Sequence, residues 1–208
     1  MSAFLDAKFT GEEVMKAVFN MGPLKAPGKD GLPVIFYQKF WRVVGQKVTA
    51  ACLQCLNEGE SLERMNETLI TLIPKMDLAE RMTGFQPISL CNVFFYTIIA
   101  KAMTNRFRMA LKEVISETQN TFILGHLITD ITIVDFEGMH SLKKRKQKNG
   151  SMAIMLDMSK AYDRVEWVFL TLMMKRLGFS DLWVGRVMHR VTSVSYSFLL
   201  NGKCLWIT

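Results

Sequence analysis

Residues 151–163, SMAIMLDMSKAYD, constrain the fold more than any other stretch, because an unbroken apolar run ends abruptly at a carboxylate. Met152, Ala153, Ile154, Met155 and Leu156 are too few for an ordinary helix and follow Gly150 and Ser151, so they read as a strand buried on both faces. Asp157 is then the first polar group beyond the core. Ser159 is placed to cap a following helix, in which Val165, Phe169, Leu172, Met173 and Leu177 recur at helical spacing until Gly178. The expected unit is strand, aspartate, helix, with Asp157 on a rigid edge that faces solvent. A turn or helix-capping aspartate is the plain alternative. A phosphoaspartyl nucleophile is a third, although Ser159 stands where a D-x-D pair would need its second carboxylate.

With 208 residues, half of them hydrophobic, the chain can bury a real core. Its formal charge of +7 favours a polyanionic partner such as nucleic acid. The opening MSAFLDAKF carries Asp6 and no long apolar core, so no secretory signal is expected. Gln86, Pro87, Ser89 and Asn92 interrupt the longest uncharged stretch, 82–100, so no membrane span is expected either. The expectation is an intracellular protein, cytoplasmic or nuclear. Cys52 and Cys55 form a C-x-x-C inside a helical pattern with Val48, Ala51 and Leu56, while Cys91 and Cys204 stand apart. Without a second pair they read as reduced core thiols rather than a zinc site.

Along the chain, Thr10 and Glu13 make a capping box that opens a helix over Val14, Val18 and Phe19 and ends near Gly22 and Pro23. The segment 25–31, KAPGKDG, is turn chemistry, a loop whose Lys25 and Lys29 could reach a phosphate or simply be solvated. Helix is expected from about Val34 to Leu56, with Phe36, Phe40, Val43, Val44, Val48, Ala51 and Leu56 on its apolar face. Residues 68–73 read as a strand closed by Pro74, and 87–90 as a second strand able to pair with it. A long helix follows, capped by Asn92 or a neighbour and running to about Ile115. Its Ile99, Met103, Phe107, Ala110 and Val114 are apolar, and Lys101, Asn105, Arg108 and Lys112 share one basic or solvated face. The run 143–148, KKRKQK, reads as a connecting loop after a helical stretch, with nucleic-acid contact and nuclear import as the other readings. Tyr196, Phe198 and Leu200 alternate with polar or small residues up to Asn201-Gly202, a hairpin signal.

The run LDMSKAYDRVEW resembles the first catalytic motif of reverse transcriptases of the LINE type, the non-LTR retrotransposon polymerases, in a plant-like form. KAPGKDGLPVIFYQKFW (25–41), TLITLIPK (68–75), FQPISLCNV (85–93), LITD (127–130) and VSYSFLLNG (194–202) follow in that family's order. The resemblance implies an α+β, partial right-hand polymerase fold. Residues 1–150 would be helix-rich fingers with a β-hairpin, and 151–208 the start of a truncated palm with an incomplete antiparallel sheet made from 151–157 and the hairpin at Asn201-Gly202. It implies Mg²⁺, an RNA template, a DNA primer and a deoxynucleoside triphosphate.

By the same resemblance, Asp157 is the catalytic carboxylate and, with the Met158 carbonyl, a metal ligand. Lys75, Gln86 and Tyr162 would contact the nucleotide, and Lys101, Arg108 and Lys112 the nucleic acid. Two departures weaken phosphate binding. Gln86 replaces the arginine of an F-R-P-I-S motif, a loss on the order of 1.5–3 kcal/mol for one charge-assisted contact. Leu124 and His126 stand where the family tends to have proline and arginine. No adjacent Asp-Asp pair occurs anywhere in the sequence, and the R-Q-G-D-P-type segment is missing too. One carboxylate does not hold two metals, so polymerase activity is not expected from this chain alone. A noncatalytic nucleic-acid-binding or interaction protein, and a nonfunctional relic, remain the alternatives.

Overall fold

The computed structural model describes residues 2–24, 26–59, 66–93, 97–116, 119, 127–144, 152–158, 161–200 and 203–206. Among these, eight α-helices and one four-stranded sheet make a mixed α+β chain. Two compact units interleave in sequence, the first formed by Met1–Leu5 with Arg106–Val184 and the second by Asp6–Asn105 with Gly185–Thr208.

The second unit begins with α2 (Gly11–Phe19). Thr10 adopts an extended backbone and accepts the Glu13 N–H, while the Glu13 carboxylate takes the Thr10 N–H at 2.9 Å, so the expected capping box is present. At the other end of α2, the Gln38 side-chain amide donates to the Val18 and Met21 carbonyls, both at 3.0 Å. The Val18 carbonyl also accepts the Met21 N–H at 3.3 Å, so Gln38 reinforces the turn that ends the helix. The helix expected over 34–56 is two: α3 (Val34–Lys39) and α4 (Trp41–Asn57). Phe40 leaves helical geometry (φ −99°, ψ 18°), and the Val43 and Val44 N–H groups both donate to its carbonyl, so the helix restarts there.

That restart rotates the buried stripe of α4 to Gly45, Val48, Cys52, Cys55 and Leu56. Val43, expected on the apolar face, is 77% exposed. Trp41 folds back on Gly45, where a Cβ would stand 2.7 Å from the indole ring. Cys52 and Cys55 are both buried and not disulfide-bonded, and burial pushes the Cys52 thiol up to about 12, with Cys55 adding to the shift. They are core side chains. Asn57, at the end of α4, clamps the Phe9 backbone at two points, accepting its N–H at 2.8 Å and donating to its carbonyl at 3.0 Å.

The sheet runs in the order β2-β1-β3-β4. β1 (Glu67–Pro74) and β2 (Phe85–Cys91) form the expected antiparallel hairpin, Thr68 opposite Cys91 and Pro74 opposite Phe85. β3 (Ser195–Leu200) and β4 (Lys203–Trp206) form the second hairpin, with Leu200 opposite Lys203; its Asn201-Gly202 turn lies outside the described residues. β3 then joins β1 in parallel, Glu67 beside Ser195 and Thr71 beside Leu199. The expected antiparallel palm sheet of 151–157 and this hairpin is therefore not formed. β1 takes the hairpin instead, because polar groups lock the junction: Ser195 N–H donates to the Asn66 carbonyl at 3.0 Å, and Ser197 Oγ donates to Glu67 at 3.0 Å. Ser197 is fully buried at that contact, while Tyr196 and Leu200 are exposed. Of the small residues in the alternation, Ser197 faces inward and Ser195 is exposed.

In the first unit, α1 (Ser2–Asp6), α5 (Ile98–Val114), α7 (Trp167–Arg176) and α8 (Asp181–Thr192) supply the core, α5 and α8 each running on into the second unit. Phe107 stacks at 5.3 Å on Phe179 and 6.0 Å on Trp183, the latter completely buried. The buried Arg106 guanidinium donates to the Leu5 carbonyl at 3.2 Å and lies 5.7 Å above the Phe4 ring. Gly178, at φ +86°, ends α7 in the left-handed conformation that glycine adopts without strain. The helical stretch is α6 (Ile128–Lys144), which takes in Lys143 and Lys144, so the basic run expected as a loop begins inside the helix; 145–148 lie outside the described residues.

Candidate functional site

The hairpin β1–β2 positions two of the expected nucleotide contacts. Pro74 closes β1, and the next residue, Lys75, donates its backbone N–H to the Gly84 carbonyl at 2.8 Å, which extends the ladder by one pair beyond the strands. Ile73 stands opposite Gln86, and Lys75 follows Pro74 in a bend just past the end of β1, so both residues lie at the same end of the hairpin. Both residues are exposed. A tight 3₁₀ turn, Met82–Gly84, holds this end. Lys75 and Gln86 sit on separate sequence motifs, and the structure places them at one hairpin end.

Asp157 fares differently. Residues 152–158 form neither strand nor helix, and Met155 and Leu156 are 92% and 91% exposed. The expected buried strand is absent for two reasons. An extended segment enters a core only when neighbours take its N–H and C=O groups, and none of the four strands pairs with this one. Its composition also resists: Ile154 is the one β-branched residue in MAIML, so strand propensity is low. Asp157 and Met158 are both exposed, on a segment without a ladder, so no rigid edge presents the carboxylate or the Met158 carbonyl.

The helix expected directly after Asp157 starts at Trp167 instead, after a 3₁₀ turn, Tyr162–Arg164, and an extended Glu166 that makes no side-chain cap. The proposed cap, Ser159, lies outside the described residues. Phe169 and Leu172, expected in the core, are exposed at 55% and 62%, and Met174 is the buried side chain of α7. Tyr162 is also exposed.

Lys29 of the KAPGKDG loop, a candidate phosphate contact, has its charge committed: its Nζ lies 3.3 and 3.2 Å from the two Glu67 carboxylate oxygens. Lys25 lies outside the described residues. In the same loop the Asp30 carboxyl accepts the Leu32 N–H at 3.4 Å and is held above its ordinary range by burial. Lys101, Arg108 and Lys112 lie on α5 at spacings that keep them on one side of the helix, Lys101 and Arg108 half-buried and Lys112 exposed.

Residues 73–203 match the family profile described as reverse transcriptase (RNA-dependent DNA polymerase). The chain belongs to the reverse transcriptase family. It is also 29% identical over 181 residues to a protein from Xenopus laevis described as "Transposon TX1 uncharacterized 149 kDa protein". That alignment covers 87% of this chain and 14% of the relative, so the chain spans about 14% of the relative's length. Membership in the reverse transcriptase family implies RNA-directed DNA polymerase ancestry, use of divalent metal and binding of a nucleic-acid template.

The residues present do not fit that metal. Among the described residues no three His, Cys, Asp or Glu side chains come together to hold an ion. Asp157 offers an exposed carboxylate that joins no such group among the described residues, and one carboxylate alone does not make an Mg²⁺ site. No helix of the described residues is long and apolar enough to cross a membrane.

Sequence reasoning missed α1 and α8 and the buried pair Arg106 and Trp183. For α8 a signal was available: Ser180 precedes Asp181 and accepts the Trp183 N–H at 3.1 Å, an N-cap followed by an acid. The Lys29–Glu67–Ser197 chain joins three segments far apart in sequence and left no local signature.

Proposed function

We propose that this chain is a LINE-type reverse transcriptase region that contacts nucleic acid and nucleotide but does not polymerise by itself. The observation that carries this reading is the sequence's single motif carboxylate, Asp157, with no Asp-Asp pair to complete a two-metal site. Lys75 and Gln86, both at the hairpin end, support the nucleotide contact, and Tyr162 is its third expected member. The basic side of α5, with Lys101, Arg108 and Lys112, supports strand binding, in keeping with a net charge of +7. In this reading Asp157 records descent, and a complete metal site needs carboxylates from elsewhere in a longer polymerase. Residues 1–150 as fingers and 151–208 as the start of a palm belong to the same proposal.

Retention of single-stranded RNA across a salt series tests the reading. Three phosphate contacts predict a slope of log K against log salt near −2, at about 0.7 per contact. Retention unchanged from about 50 to 200 mM salt would count against it.

One observation favours a second reading, a relic without fixed packing in its first unit: the apolar side chains of 152–158 and, on α7, Trp167, Val168, Phe169, Leu172 and Met173 are exposed. Strong dye binding with lost near-ultraviolet circular dichroism would support that reading, and sharp cooperative unfolding would exclude it.

A further inference from the structure

The second unit holds a cleft of about 440 Å³ beside the start of α5, away from the hairpin residues that the nucleotide reading uses. Such a volume falls in the range of roughly 300–1,000 Å³ that takes one small-molecule-sized group. It is too small for a duplex. Its lining includes Asn20, Met21, Cys91, Thr97, Lys101 and Thr104.

The chemistry of this wall is specific. Lys101 is the one cation among the described lining residues, no carboxylate lines the cleft with it, and no ion pair engages it among the described residues. Thr104 brings a hydroxyl and Asn20 an amide, while the Thr97 hydroxyl donates to the Asn92 carbonyl at 3.4 Å. One positive charge with neutral donors matches one phosphodiester, whereas a free triphosphate brings several charges that a single lysine leaves uncompensated. Asn20 and Thr104 are exposed, so the mouth is open and a chain can enter and leave. Met21 is 5% exposed and supplies an apolar, polarisable floor suited to the face of a base.

We propose that this cleft holds a single nucleotide of one nucleic-acid strand, its phosphodiester on Lys101 and its base against Met21. The proposal rests on the nucleic-acid reading above and adds a defined site to it.

The test uses the full chain and a labelled twelve-residue oligouridylate. Lys101→Ala should weaken binding about three- to tenfold, a half-buried charge-assisted contact, and should lower the salt slope by about 0.7. Thr104→Trp, at the exposed rim, should fill the cleft and weaken binding at least as much. Unchanged thermal unfolding of both variants checks that each still folds. Cys91 lines the cleft, so the oligouridylate should also slow its alkylation by N-ethylmaleimide, read peptide by peptide against the exposed Cys204. If the wild type binds the oligomer while both folded variants match it and Cys91 is unprotected, the cleft assignment is wrong and the nucleic-acid reading stands. If the wild type binds no oligomer, the nucleic-acid reading fails and takes the cleft with it. Protection of Cys91 by ATP at an equal nucleotide concentration would assign the cleft to a free nucleotide and overturn the strand proposal.

Discussion

Replacing Gly28 by alanine should destabilise the second unit strongly, and the structure gives the reason. An added Cβ would stand 2.6 Å from the Asn92 nitrogen and from the Cys91 carbonyl carbon and oxygen. That is about 0.8 Å inside ordinary van der Waals contact. All three are backbone atoms, so no side chain can swing aside. The loop is poorly placed to retreat, since the Gly31 N–H donates to the Gly28 carbonyl at 3.1 Å and Lys29 is tied to Glu67. Overpacking of this kind costs about 1–3 kcal/mol, and three rigid neighbours place Gly28→Ala near 3. With a urea dependence of about 2 kcal/mol per molar, the midpoint should fall by about 1.5 M, read by far-ultraviolet circular dichroism. Gly31→Ala is the comparison. Nothing lies within 4 Å of its added Cβ, but φ is +66°, so only the left-handed backbone cost of about 1–2 kcal/mol applies. Gly22→Ala meets no atom within 4 Å and no unusual φ, and should be neutral. A Gly28→Ala protein within about 0.5 kcal/mol of wild type, or one more stable than Gly31→Ala, would overturn this steric reading.

Two further predictions concern the same unit. Asn57→Ala removes both hydrogen bonds to the Phe9 backbone and should cost about 1–3 kcal/mol in denaturant unfolding. Asn57→Asp keeps the acceptor and loses the donor, and should fall between. Asp30→Asn should stabilise the protein at neutral pH. Burial raises the Asp30 pKa in the folded state, so the folded chain holds the proton more tightly and stability declines as pH rises through the folded pKa. The advantage of the Asp30→Asn variant should shrink as pH falls toward the ordinary value of 3.8, and an advantage that grows on acidification would show the sign to be wrong.

Local signals were legible wherever a single segment decides its own structure. The Thr10–Glu13 capping box, the β1–β2 hairpin closed by Pro74 and the Gly178 helix end could all be read from neighbouring residues. What failed depended on partners distant in sequence. The run 152–156 looks like a buried strand, but burial needs a ladder on its edges, and β3 took the available edge of β1 through Ser195 and Ser197. The apolar stripe of α7 met the same fate, since helical spacing shows a face but not what covers it. Of the candidate site, Lys75 and Gln86 lie at one end of the β1–β2 hairpin because each adjoins or belongs to a strand legible from its own segment. Lys29 could not be assigned from KAPGKDG alone, because its Glu67 partner is 38 residues away.

The central proposal is that family membership and Asp157 together do not amount to polymerase activity in this chain, and primer extension on an RNA template tests it. The reaction holds Mg²⁺, deoxynucleoside triphosphates and the purified chain. No extended primer is expected from either wild type or Asp157→Ala, under conditions where wild type still retains RNA at low salt. Extension by wild type that Asp157→Ala abolishes would show instead that the chain is a polymerase.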